Sequence, residues 1–82
     1  MYYVYVLEAE SYPDKTYLGY TSDLRSRLTA HNTGKVKSTK GYRWTLIYYE
    51  AYMREKLARD RERKLKRNPR MKKFLFDRIY AS

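Results

Sequence analysis

The 82 residues contain no cysteine, so disulfides are closed to this chain and its core must form by packing alone. No run approaches the roughly 18 apolar residues of a membrane-spanning helix, and Met1 leads directly into a strand-like segment with no basic leader. With two prolines and three glycines there is no low-complexity linker, and no internal repeat is present. These absences point to a single domain over residues 1–82, cytoplasmic and away from membranes. Acidic side chains are also scarce. Nine of them against nineteen Lys and Arg leave a formal charge of +10, which calls for a polyanionic partner. Nucleic acid fits better than an acidic membrane, because the most basic stretch, residues 53–73, carries eleven Lys and Arg against three acids and lacks a bulky apolar stripe.

Tyrosine, by contrast, is abundant, with eleven in the chain. In YYVYVL (2–7), Tyr3, Tyr5 and Leu7 face one way and Tyr2, Val4 and Val6 the other, as in a strand covered on both sides. TYLGY (16–20) reads as a second strand, and the polar link with Pro13 and Asp14 carries turn chemistry. If the two pair as an antiparallel hairpin, Tyr5 and Tyr17 can share a face, with register left open. Thr21 or Ser22 offers an N-cap and Asp23 favours the first turn of a short helix, which runs to His31 before Asn32 and Gly34 stop it. On that helix Leu24, Leu28 and His31 fall within an arc of about 60° with Arg27 at its edge, while Arg25 lies about 160° from Arg27.

GKVKSTKGYR (34–43) reads as an exposed, mobile basic loop, and WTLIYY (44–49) as a third strand covered on both faces. A second helix is expected over about 53–67, with Met53, Leu57, Ala58 and Leu65 as a narrow apolar stripe and Glu62 at its border. Asn68-Pro69 ends it and opens a third, whose Met71, Phe74, Leu75 and Ile79 recur at helical spacing. The order ββαβαα predicts an α+β domain, a small three-stranded antiparallel sheet flanked by helices.

Together these residues resemble the GIY-YIG nuclease superfamily, in particular its small stand-alone bacterial members. Tyr3-Val4-Tyr5 stands where that family has GIY and Tyr17-Leu18-Gly19 where it has YIG, with eleven residues between Tyr5 and Tyr17. TSDLRSRLTAHNTGK places Arg27 at the family's catalytic arginine and His31 one turn later. GKVKSTKGYRWTLIYYEAY and ARDRERKLK continue the likeness, the latter putting Glu62 at the metal-binding glutamate. Tyr3 departs from the motif, replacing its glycine.

The resemblance implies hydrolysis of phosphodiester bonds in nucleic acid, DNA before RNA, with one divalent ion, Mg²⁺ or Mn²⁺. It assigns the metal to Glu62, for which the alternative is an ion pair with Lys66. Arg27 would stabilise charge on the phosphate; otherwise it is a surface arginine draped over Leu24. Tyr17 would position or deprotonate water and Tyr5 hydrogen-bond the network, although phenols of this kind are also ordinary packing or stacking residues. His31 is either a proton-transfer group or a hydrogen-bonded core residue. Lys35, Lys37, Lys40, Arg43, Arg61 and Lys66 are the candidate phosphate contacts. A homodimer or protein partner could supply selectivity, and a non-catalytic basic nucleic-acid-binding module is the rival to the enzyme.

Overall fold

The computed structural model describes residues 1–81. Strands β1 (Tyr2–Ala9) and β2 (Tyr12–Thr21) are followed by helix α1 (Leu24–Asn32), a single 3-10 turn (Lys37–Thr39), strand β3 (Trp44–Tyr52) and helices α2 (Glu55–Arg67) and α3 (Pro69–Ala81). The sheet is antiparallel throughout, in the order β2-β1-β3. The α+β class and the order ββαβαα are those read from the sequence.

Pro13 and Asp14 lie within β2 rather than in a turn. β2 is an edge strand, where the amide that Pro13 lacks need not be replaced. The chain reverses instead around Ser11, at φ 69°, and the β1–β2 pairing loses its regularity between Glu8 and Ala9. A second irregularity matters more. Val6 pairs with Tyr48 but Leu7 with Leu46, so Ile47 is an extra residue in β3. The bulge breaks the two-residue alternation. Trp44, Leu46 and Tyr49 therefore share a face, where strict alternation would have placed Tyr48 with the first two.

Each face of the sheet carries its own core. Tyr5, Leu7, Ala9 and Trp44 are buried on one face, packed by Tyr17, Leu24, Leu28, Tyr42 and Leu46. On the other, Val4, Val6 and Leu18 meet Ala58 and Leu65 of α2 and Leu75 of α3. Fully burying an aliphatic side chain such as Leu65 contributes about 1.5–3 kcal/mol. The helical stripes differ from the expected ones in detail. Met53 precedes α2 and is 83% exposed, and Leu57 is half-exposed, because the inward row is Ala58, Arg61 and Leu65. In α3, Phe76 packs beside Leu75, Met71 and Ile79, while Phe74 points outward.

The helix ends follow sequence chemistry closely. Asp23 is the N-cap of α1, accepting from Ser26 N at 3.1 Å, where Thr21 or Ser22 had been candidates. Gly34, at φ 75°, closes α1: Lys35 N donates to Ala30 O and Gly34 N to His31 O, a Schellman arrangement. Asn68 caps α3, its Oδ1 accepting from Arg70 N and Met71 N. Residues 34–43 are not the free loop the sequence suggested. Thr39 is fully buried, Trp44 Nε1 donates to Thr39 O at 3.0 Å, and the Asn32 amide brackets the backbone of Trp44. Among the described residues, no helix is long and apolar enough to cross a membrane.

Candidate active site

β1 and β2 place Tyr5 opposite Gly19 and Leu7 opposite Tyr17, so both phenols project on the face that α1 covers. Their ring centroids are 6.2 Å apart. His31, fully buried, sits against both rings, and the proton order of its contacts can be deduced. Assigning the Thr39 hydroxyl proton to Val36 O at 3.3 Å makes Thr39 Oγ1 the acceptor from His31 Nδ1–H at 2.8 Å. His31 Nε2 is then left to accept the Tyr5 O–H, also at 2.8 Å. The Tyr5 oxygen in turn accepts from Arg27 Nε at 3.4 Å. A directed chain runs from guanidinium to phenol to imidazole.

Electrostatics agree with that order. Burial pushes the Tyr5 phenol up to about 12; the Arg27 hydrogen bond opposes the rise, and the charge of Glu62 adds to it. Tyr5 is therefore a neutral O–H donor. The Arg27 guanidinium is held above its ordinary value chiefly by hydrogen bonding to Tyr5, with Tyr17 a further partner. Burial first, and then the Arg27 charge, depress His31 below the usual histidine range, so its ring is neutral. Proton exchange at His31 would pass through Tyr5 or Thr39, since the ring has no solvent contact.

That depressed value has a consequence for stability. The unfolded histidine, with a pKa near 6.5, binds protons that the folded one refuses, so stability should fall as pH drops through and below about 6.5. Thermal melts between pH 7.5 and about 5, above the carboxylate range, should show this slope in the parent protein. His31→Gln should lower the melting temperature and flatten the slope. An unchanged slope in the variant would assign the effect to other groups.

The acid arrives from the opposite side of the sheet. Glu55, Arg59, Glu62 and Lys66 fall on one side of α2 within an arc of about 60°, and this row runs along the β2 edge. The Arg59 guanidinium and the Lys66 ammonium each lie 6.0 Å from a tyrosine ring centroid, Tyr20 and Tyr17 respectively. Glu62 lies between them in the row, 20% exposed, with Lys66 as its ion-pair partner at 3.3 Å. Arg27 and Glu55 border an open hollow of about 340 Å³ together with Tyr20, Thr21 and Ser22. The structure thus brings Tyr5, Tyr17, Arg27 and His31 into one network and Glu62 to its border. Thr39, which fixes the imidazole, and Gly19, over which Tyr5 lies, were missed as site residues in the sequence.

The basic candidates divide. Lys35, Lys37 and Lys40 are exposed, and Arg43 is exposed with a long contact to Glu10 at 3.7 Å. Lys66 is at the site itself. Arg61, expected to meet phosphate, is turned into the fold, where its Nε and Nη2 donate to Glu50 at 3.0 Å each. Its place at i+3 from the buried Ala58 explains why. Glu50 also accepts from Tyr48 at 2.5 Å and Tyr52 at 2.6 Å. Burial opposes its charge, but these donors outweigh that and hold the carboxyl below its ordinary range. The two phenols are pushed up to about 12 by burial first and by Glu50 second. This is a satisfied internal ion pair.

Residues 1–74 match the family model described as the GIY-YIG catalytic domain. Among curated proteins, the chain is similar to the UPF0213 proteins of Streptococcus pyogenes serotype M5 (strain Manfredo), serotype M2 (strain MGAS10270) and serotype M28 (strain MGAS6180). Each is 44% identical over 63 residues, covering 73% of this chain and 65% of the relative. The match thus spans just under two thirds of those proteins. No solved structure gives a significant match.

Proposed function

From the premise that this chain belongs to the GIY-YIG family, a nuclease family, we propose that it is an endonuclease that hydrolyses phosphodiester bonds in nucleic acid, DNA before RNA, with one divalent ion. The observation that carries this reading is the convergence of two phenols, a guanidinium and a solvent-reaching carboxylate at the β2 edge. A metal-dependent reaction is the general rule for such nucleases, and the donor set fits it. Among the described residues no three His, Cys, Asp or Glu gather around one point, but Mg²⁺ needs few protein ligands and retains water and phosphate oxygens. Glu62 would hold the ion, displacing an exposed Lys66 contact that is worth less than about 1 kcal/mol. When bound, the ion would polarise the phosphate and lower the pKa of coordinated water.

The chain's own residues have separable tasks. Arg27 offers the rest of its guanidinium to a phosphate oxygen on which negative charge grows as the P–O bond to the leaving group breaks. Tyr17, between Arg27 and Lys66, accepts a hydrogen bond from the attacking water and orients it; as the new P–O bond forms the water's proton passes to solvent, and the departing oxygen takes a proton from solvent as its bond to phosphorus breaks. Tyr5 donates to His31 and accepts from Arg27, fixing where the guanidinium points. Lys35, Lys37, Lys40 and Arg43 supply sequence-independent attraction for the strand.

Labelled duplex, single-stranded and branched DNA and RNA, incubated with Mg²⁺, Mn²⁺ or chelator, test the proposal. Cleavage that requires metal and disappears in Glu62→Ala is the expected result. Tight, salt-sensitive binding with no product under any condition would make this a binding module instead.

A further inference from the structure

The face that carries the candidate site also bears a pair of aromatic rings, Tyr49 exposed and Tyr3 partly buried. Tyr49 is directly opposite Tyr5 across the β1–β3 pairing, placed there by the Ile47 bulge. Tyr3 lies two residues along β1 from Tyr5, about 7 Å away on the same face. The Tyr3 and Tyr49 rings meet edge to face, with centroids 5.9 Å apart and planes at 70°. Tyr49 is 54% exposed. Beside them stand the small residues Ala51 and Thr21, both opposite Tyr3, and Thr21 borders the hollow that contains Arg27.

We propose that Tyr3 and Tyr49 form a stacking platform for an unpaired nucleobase flanking the phosphate held at Arg27, and that this selects nucleic acid with a single-stranded stretch next to the cut. The inference rests on the nuclease reading and names its substrate class. More than half of Tyr49 is open to solvent, and Tyr3, its plane at 70° to that ring, packs against it and limits its tilt. Lysines and arginines around the site attract the backbone, and a ring next to the phosphate site is where the neighbouring base falls. A base within an intact duplex is already stacked and paired, so only one outside the helix can use this ring. The platform depends on Tyr3 standing where the family motif has glycine. With glycine there, Tyr49 would lack its support.

Binding in chelator separates this from catalysis. Fluorescence anisotropy would compare a blunt duplex, the same duplex with a short unpaired flank, and that flank made abasic, against parent, Tyr49→Ser, Tyr49→Phe and Tyr3→Gly proteins. The parent should prefer the base-bearing flank by roughly 5- to 150-fold, the range of one base–aromatic stack. Tyr49→Ser and the abasic flank should each remove the preference. Tyr49→Phe should keep it, and Tyr3→Gly should weaken it, while blunt-duplex affinity holds in every protein. Equal affinity of the parent for base-bearing and abasic flanks overturns the platform and needs no variant to fold. Cleavage without flank preference removes the platform alone; flank preference without metal-dependent cleavage removes the nuclease reading alone.

Discussion

Gly19→Ala is expected to lower the cleavage rate by about a hundredfold or more, as a displacement of the order of 1 Å at a reacting group does. A Cβ at this position would lie 2.7 Å from Tyr5 Oη, 2.9 Å from Tyr5 Cζ and 2.9 Å from Tyr17 Cε2, all inside normal contact. The two rings are not equally able to yield. Tyr5 is 2% exposed and its oxygen is fixed by His31 and Arg27, whereas Tyr17 is partly exposed and moves first. The methyl group therefore displaces the water-handling phenol, and the strain also costs about 1–3 kcal/mol of stability. Single-turnover cleavage beside a thermal melt separates the two losses. Adding Tyr17→Phe to Gly19→Ala should cost little more, because both act on one group. Parental rates in Gly19→Ala would show that the Tyr17 position is unimportant.

Arg27→Ala should reduce the rate by on the order of 10²- to 10³-fold, the usual loss when a pre-aligned donor to a charged transition state is removed. The effect should fall on kcat rather than on affinity. One cation among nineteen changes phosphate attraction little, and affinity for uncleaved DNA in chelator should drop only slightly, with a correspondingly small change in its salt dependence. Arg27→Lys should rescue poorly. An ammonium is a single point charge and cannot hold Tyr5 through one nitrogen while presenting others to phosphate. Matching kcat in Arg27→Ala and the parent protein would remove this residue from the chemistry.

Much of this arrangement was written in short-range pattern. The strands Tyr2–Ala9 and Trp44–Tyr52, the Asn68-Pro69 break and the Gly34 stop each announce themselves within a few residues. Arg27 was already distinguishable from Arg25 by its position on the helix. What could not be read depended on pairing between distant segments. Parity along WTLIYY gives no sign of a bulge at Ile47, so Tyr49 had no assigned face. Arg61 looked like one more cation in a basic run, and only the register that sets Glu50 opposite Val4 shows its partner. Thr39 lies in a stretch that composition marks as exposed; its buried hydroxyl meets His31 Nδ1, a partner eight residues away that only the fold brings to it.

The acid and the guanidinium approach the same point from opposite sides of one layer of backbone. On the nuclease reading, detaching α2 would take Glu62 away and leave a half-built centre that should not cut. A copy whose last two helices have come away should therefore be inert rather than indiscriminate.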